Sequence, residues 1–219
     1  MQQNNQNIIR MRKRLFLLLL AFISLCQMNA VERTKLNFNG GWLLKVGDFP
    51  GAEQANYKDA GWKQITLPRA FNEKEAFKVS IEHLSDTIMW YRKHFHIQEV
   101  GDRKYFIEFE GVRYGADIWL NGKKVGYTEN GVMASGFDLT PYIIKGENVI
   151  AVRVDNSWNY RERTSSQRFQ WNDKNFNANY GGIPKNVFLH ITDKLYQTLP
   201  LYNNLKTTGI YIYGSNYDI

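Results

Sequence analysis

Apolar residues recur at every second position in short runs along this chain, and nowhere does the three-and-four spacing of an amphipathic helix persist over a long segment. "WYRKHFHI" (Trp90 to Ile97), "KYFIEFE" (Lys104 to Glu110), "NVIAVRV" (Asn148 to Val154) and "NVFLHIT" (Asn186 to Thr192) each have strand length and strand composition. In "DIWLNGKKVGY" (Asp117 to Tyr127), Asn121-Gly122 separates two such runs and predicts a two-residue hairpin turn, since both residues tolerate positive φ. Further breaks at Gly101-Asp102, Asp138 to Pro141 and Lys145-Gly146 fall at the spacing of an all-β sandwich. The expected fold is all-β and antiparallel: two packed sheets of jelly-roll type, with Trp42, Trp62, Trp90 and Trp119 in the core.

The two ends depart from this pattern. Arg10, Arg12, Lys13 and Arg14 precede the apolar run "LFLLLLAFISLC" and then "QMNA", the layout of a secretory signal peptide cut after Ala30. The run is shorter than the ~20 apolar residues of a membrane-spanning helix. A lipid anchor at Cys26 is disfavoured by bulky Leu25, where a small residue is expected. At the other end, "DKLYQTLPLYNNLKTTG" (Asp193 to Gly209) reads as a linker, and "GIYIYGSNYDI" (Gly209 to Ile219) alternates Ile210 and Ile212 with Tyr211 and Tyr213. That closing strand needs a neighbour and a core. The expected division is residues 1–30 as leader, 31–196 as the sandwich, and 197–219 as a linker with the start of a truncated second domain. Export from a bacterium, to the periplasm or beyond, follows from the leader, with no membrane attachment after cleavage.

Charge changes the picture only once the leader is set aside. The chain carries +7, but four of its 28 cations and none of its 21 acidic residues lie in the first thirty positions, leaving about +3. Nucleic-acid binding loses its electrostatic support. The one cysteine, Cys26, leaves with the leader, so disulfides, zinc-thiolate sites and a cysteine nucleophile are excluded.

Three stretches carry a resemblance: "FNGGW" (Phe38 to Trp42), "FEGVRYGADIWLNGKKVGYTENG" (Phe109 to Gly131) continuing into "FDLTPYI", and "NYGGIPKNVFLHI" (Asn179 to Ile191). Over residues 36–219 the chain resembles glycoside hydrolase family 2, the β-galactosidases, β-glucuronidases and β-mannosidases. The resemblance implies a jelly-roll sugar-binding domain, then an immunoglobulin-like sandwich, of which the closing strand is the beginning. A (β/α)₈ barrel follows in that family, with two catalytic glutamates about 5 to 5.5 Å apart. This chain is thus expected to be the N-terminal sugar-binding portion of a β-galactosidase-like enzyme, not catalytic by itself, its partners a β-glycoside and the remaining domains. A free-standing carbohydrate-binding module or lectin is the alternative, and a gene fragment a third reading. Two departures stand out. "WKQITLPRAF" puts Arg69 and Phe71 where the family often has histidine and tryptophan, and "NFNANYGG" puts Asn175 where it tends to have aspartate.

The resemblance also selects site residues. Asp86, in "HLSDTIMWY", matches by position a residue that touches the sugar, and Asp173, Asn175 and Asn177 are the polar groups ahead of "YGGI". Carboxylates and amides suit sugar hydroxyls, which donate and accept in fixed directions; the plainer reading is an Asx-rich turn capping its own backbone. Trp158, Phe169 and Trp171 offer flat walls for a pyranose but suit interdomain packing better, and Arg161, Arg163 and Arg168 suit an acidic sugar or, more plainly, a solvated loop face. Glu108 and Glu110, about 6.6 Å apart along one strand, approach glycosidase spacing. Alternation, however, puts Tyr105, Ile107 and Phe109 toward the core and the glutamates in solvent, where no proton donor would be tuned. His94 and His96 share a strand face but lack a third ligand, so no metal and no cofactor is expected.

Overall fold

The computed structural model describes residue 13 and residues 33–70, 86–129, 131, 133–168 and 181–197. The described residues from Arg33 on form an antiparallel β-sandwich, as expected. One sheet has four strands, in the order β1 (Thr34–Asn37), β12 (Val187–Asp193), β6 (Arg103–Phe109), β9 (Ser135–Asp138). The other has six: β3 (Lys63–Ile65), β2 (Trp42–Val46), β5 (Ile88–Ile97), β10 (Gly146–Asp155), β7 (Gly115–Leu120) and β8 (Lys123–Thr128). A short pair, β4 (Arg69–Ala70) with β11 (Gly182–Ile183), closes one end. Of the expected leader only residue 13 is described, and the strand expected at 209–219 lies outside the described residues.

Period-two alternation builds the core. Met89, Tyr91 and Phe95 of β5, Ile150, Val152 and Val154 of β10, and Ala116, Ile118 and Leu120 of β7 point inward from the larger sheet. Tyr105, Ile107 and Phe109 of β6 and Val187 and Leu189 of β12 meet them from the smaller one. Trp42 is fully enclosed between the sheets, its indole N–H donating to Phe38 O at 2.8 Å. Each such large side chain contributes roughly 1.5–3 kcal/mol on burial. Asn121 (φ 53°) and Gly122 (φ 78°) form the expected hairpin turn between β7 and β8.

The outer face of the larger sheet carries a second apolar cluster. Trp62 and Trp90 are buried there with Ala151, under Leu43, Phe49, Tyr57 and Trp119, so Trp42, Trp62 and Trp90 are buried as expected, the last two in this second cluster, while Trp119 is half-buried. The segment 47–62 is laid over that face by Arg92, which is fully buried. Its guanidinium donates to Asp59 Oδ2 at 2.7 Å, to Gln54 O at 3.0 Å and to Ala52 O. Burial alone would raise the Asp59 pKa, but the hydrogen bonds from Arg92 and His94 outweigh it and hold Asp59 below the usual carboxylate range.

The smaller sheet corrects one expectation. Glu108 does face away from the core but is only 6% exposed; it accepts from His190 Nε2 at 2.6 Å and pairs with Lys35 at 3.3 Å. His190 of β12 and Lys35 of β1 meet its carboxylate in place of bulk solvent, and beside them Tyr196 packs on Phe106, ring centroids 5.0 Å apart. Glu110 accepts from Asn186 Nδ2 at 2.8 Å and does not join it in a carboxylate pair.

Candidate functional site

At one end of the sandwich Gly182 draws three backbone segments together. It pairs with Ala70 in β4 and forms a bridge with Arg113, its N–H on Arg113 O at 2.6 Å and Arg113 N on its carbonyl at 2.8 Å. Beneath it the Tyr91 hydroxyl donates to Arg69 O at 3.1 Å and accepts from Ile183 N at 3.3 Å. Gly182 has φ +106°, and a Cβ there would lie 2.0 Å from the Tyr91 hydroxyl oxygen, so only glycine fits. Burial drives the Tyr91 pKa upward, keeping the phenol a neutral donor.

The loop 156–168 is fastened beside it by paired aromatic and carboxylate groups. Asn156 N donates to Thr87 O at 3.0 Å. Tyr114 OH donates to Glu162 Oε1 at 2.6 Å and Tyr160 OH to Glu129 Oε1, the two rings meeting edge to face at 5.3 Å. Gly115 leaves room for this packing, since a Cβ there would stand 2.3 Å from the Tyr160 ring. Burial, reinforced by Glu162 and Glu129, pushes both phenol pKa values up, and the Tyr114 hydroxyl lowers that of Glu162. Arg163 reaches Asp117 Oδ2 at 2.6 Å while Lys124 holds Oδ1 at 2.8 Å; burial would raise the Asp117 pKa, and these two cations overrule it.

Asp86, exposed, stands at this rim, where its Oδ1 accepts from Trp158 N at 2.8 Å. Arg168 donates twice to the carbonyl of the same Trp158, at 3.0 and 2.7 Å. Asp173, Asn175 and Asn177, with Phe169 and Trp171, lie outside the described residues. His94 and His96 do not form a pair: His94 lies between Asp59 (2.9 Å) and Glu147 (2.6 Å), and no cluster of three or more ligands suited to a metal occurs among the described residues. Sequence reading missed Tyr114, Glu129, Tyr160 and Glu162. Their partners are 31 and 48 positions apart with no shared motif, so only the tertiary fold reveals them.

The electrostatics limit the chemistry. Asp48, Asp59, Asp117 and Glu162 all have lowered pKa values: Asp48 and Glu162 chiefly through hydrogen bonds from Arg153 and Tyr114, Asp59 and Asp117 because cations overcome their burial. A general acid needs the opposite shift. These four carboxylates serve as acceptors and anchors.

Comparison with known proteins agrees with this architecture. Residues 33–190 match the family profile described as glycosyl hydrolase 2 galactose-binding domain-like. A β-glucuronidase of Formosa agariphila is 41% identical over 194 residues, 84% of this chain and 20% of that protein. A β-galactosidase of Bacteroides ovatus is 33% identical over 133 residues, 57% of this chain and 16% of its own length. Among solved structures, a family 2 β-glucuronidase superimposes with a TM-score of 0.74 at 39% identity, covering 87% of this chain and 21% of that one. A β-glycosidase from Bacteroides vulgatus gives 0.56 at 30% identity, over 72% and 20%. The chain thus spans about a fifth of the length of the first of these relatives. Profile, relatives and sandwich together establish that the chain belongs to glycoside hydrolase family 2, as the galactose-binding-like domain at the front of those enzymes.

Proposed function

We propose that this domain rims the active site of an exported exo-glycosidase that releases β-D-glucuronic acid, and that it orients the sugar without transferring protons. The observation that carries the substrate class is the 41% identity, over most of the chain, to a protein named β-glucuronidase. The β-galactosidase relatives make β-galactosides the second reading. The orienting role is supported by the rim: Asp86 and the loop 156–168 are held by hydrogen bonds to a rigid sandwich, and the displaced carboxylates are tuned against acid catalysis. Asp173, Asn175 and Asn177 are the further groups proposed to touch sugar hydroxyls, and export rests on the basic and apolar leader ending at Ala30.

The test is hydrolysis of p-nitrophenyl β-D-glucuronide and β-D-galactoside by the full-length gene product and by the 219-residue chain. The full-length product is expected to prefer the glucuronide and the chain to be inactive. Preference for the galactoside would reassign the substrate, and turnover by the chain would overturn the orienting role. Sugar affinity in the chain, together with an inactive full-length product, would favour a carbohydrate-binding module.

A further inference from the structure

The hairpin 161–168 carries two guanidinium groups that the ion pairs of the rim leave over. Arg161 and Arg168 oppose each other across an isolated antiparallel bridge, and both are exposed. Arg92, Arg153 and Arg163 each hold a carboxylate at 2.7 Å or less. Among the described residues, Arg161 and Arg168 have no such partner. Arg161 Nη1 donates to Ser166 O at 3.0 Å, and Arg168, among the described residues, donates to Trp158 O alone. The one acid of the hairpin is committed elsewhere: Glu162 takes Tyr114 OH on one oxygen and Ser165 Oγ on the other, at 2.6 and 2.8 Å.

Like charges directly opposite across two strands repel, so this arrangement is unfavourable until an anion joins it. The carbonyl contacts orient the two forks without neutralising them and, among the described residues, leave most of their N–H groups without an acceptor, which lowers the ordering cost of capture. A planar carboxylate matches a guanidinium fork in shape. The site adjoins Asp86, because the Trp158 peptide that receives Arg168 donates to that carboxylate. We propose that Arg161 and Arg168 form the docking point for the carboxylate of a uronic acid residue in an acidic glycan. This rests on the glucuronide reading of the site.

Affinity electrophoresis of the chain tests it, with gels containing β-linked polyglucuronate, neutral hydroxyethyl cellulose or dextran sulfate. The wild-type chain is expected to be retarded by polyglucuronate and not by the neutral polymer. The double variant Arg161→Gln/Arg168→Gln is expected to lose at least about fivefold in affinity. Lys63→Gln/Lys123→Gln, which removes the same charge from exposed positions elsewhere, is expected to keep it. Arg161→Lys/Arg168→Lys, which retains charge but not the fork, should fall between. An unretarded wild type, or a glutamine variant no weaker than the lysine-site control, overturns the proposal. Equal retardation by dextran sulfate with full binding by the Arg-to-Lys variant would also overturn it, because the pair would then read charge alone. Failure of the glucuronidase reading shows separately, as no nitrophenol release from the glucuronide by the full-length product, whatever the gels show.

Discussion

At Gly182 a single methyl group separates a foldable domain from a broken one. Alanine there combines a left-handed φ with a contact at 2.0 Å to the Tyr91 hydroxyl, and should cost about 3 kcal/mol or more by urea unfolding. Removing that hydroxyl opens space, so Gly182→Ala/Tyr91→Phe should be less unstable than the sum of the single variants; additive losses would show that the backbone, not the phenol, sets the cost. Arg92 has the same all-or-none character for a different reason. Asp59→Ala leaves a fully enclosed guanidinium without its anion and should cost about 3–5 kcal/mol, measurable as a fall in the urea midpoint.

Among the elements, the β7–β8 hairpin was legible in advance because Asn-Gly carries its backbone preference locally. Its stabilisation was not. Asn121 also donates to Tyr142 O and to Asn148 Oδ1 at 3.0 and 2.8 Å, and accepts from Val149 N at 2.8 Å, contacts made by distant segments. Asn121→Ala should therefore cost about 2–3 kcal/mol in thermal unfolding, well above a turn propensity alone. Glu108 illustrates the opposite failure. Alternation assigned it to the correct face, but whether a carboxylate there meets water depends on the side chains that β12 and β1 set against it, His190 and Lys35, which no local pattern encodes. The segment 47–62 went unread for a related reason: Arg92 looks like any outward cation on a strand until the carbonyls that enclose it are in place. His94 adds pH dependence there. Both its ring nitrogens meet carboxylates, which only imidazolium can serve with two N–H donors. Partial burial would lower its pKa, but Asp59 and Glu147 outweigh it and raise it above the free value of about 6.5. Its stabilising contribution is thus complete below that value and fades as pH climbs through the higher folded one. Urea midpoints should decline over that range in the wild type and decline less in His94→Gln.

For the molecule as a whole, the architecture was readable from periodicity and turn residues, and the family from three motifs, because both are written in short stretches. The rim was readable only in part. Asp86 emerged from resemblance, whereas the Tyr114–Glu162 and Tyr160–Glu129 fasteners join residues that sequence sets far apart. Those fasteners bear on catalysis in the proposed enzyme. Tyr114→Phe should loosen the loop 156–168 and, if the domain orients the sugar as proposed, raise KM for the glucuronide in the full-length product severalfold with little change in kcat.

The pairing of β1 with β12 joins Thr34 to Ile191 and Asn37 to Phe188, so the first and last strands of the sandwich are neighbours. A short peptide bridging them, with new termini opened at the exposed end of another hairpin, would yield a circular permutant retaining every strand pairing. The domain is in that sense a cassette that a larger polypeptide can accept at one point on its surface, entering and leaving through the same doorway.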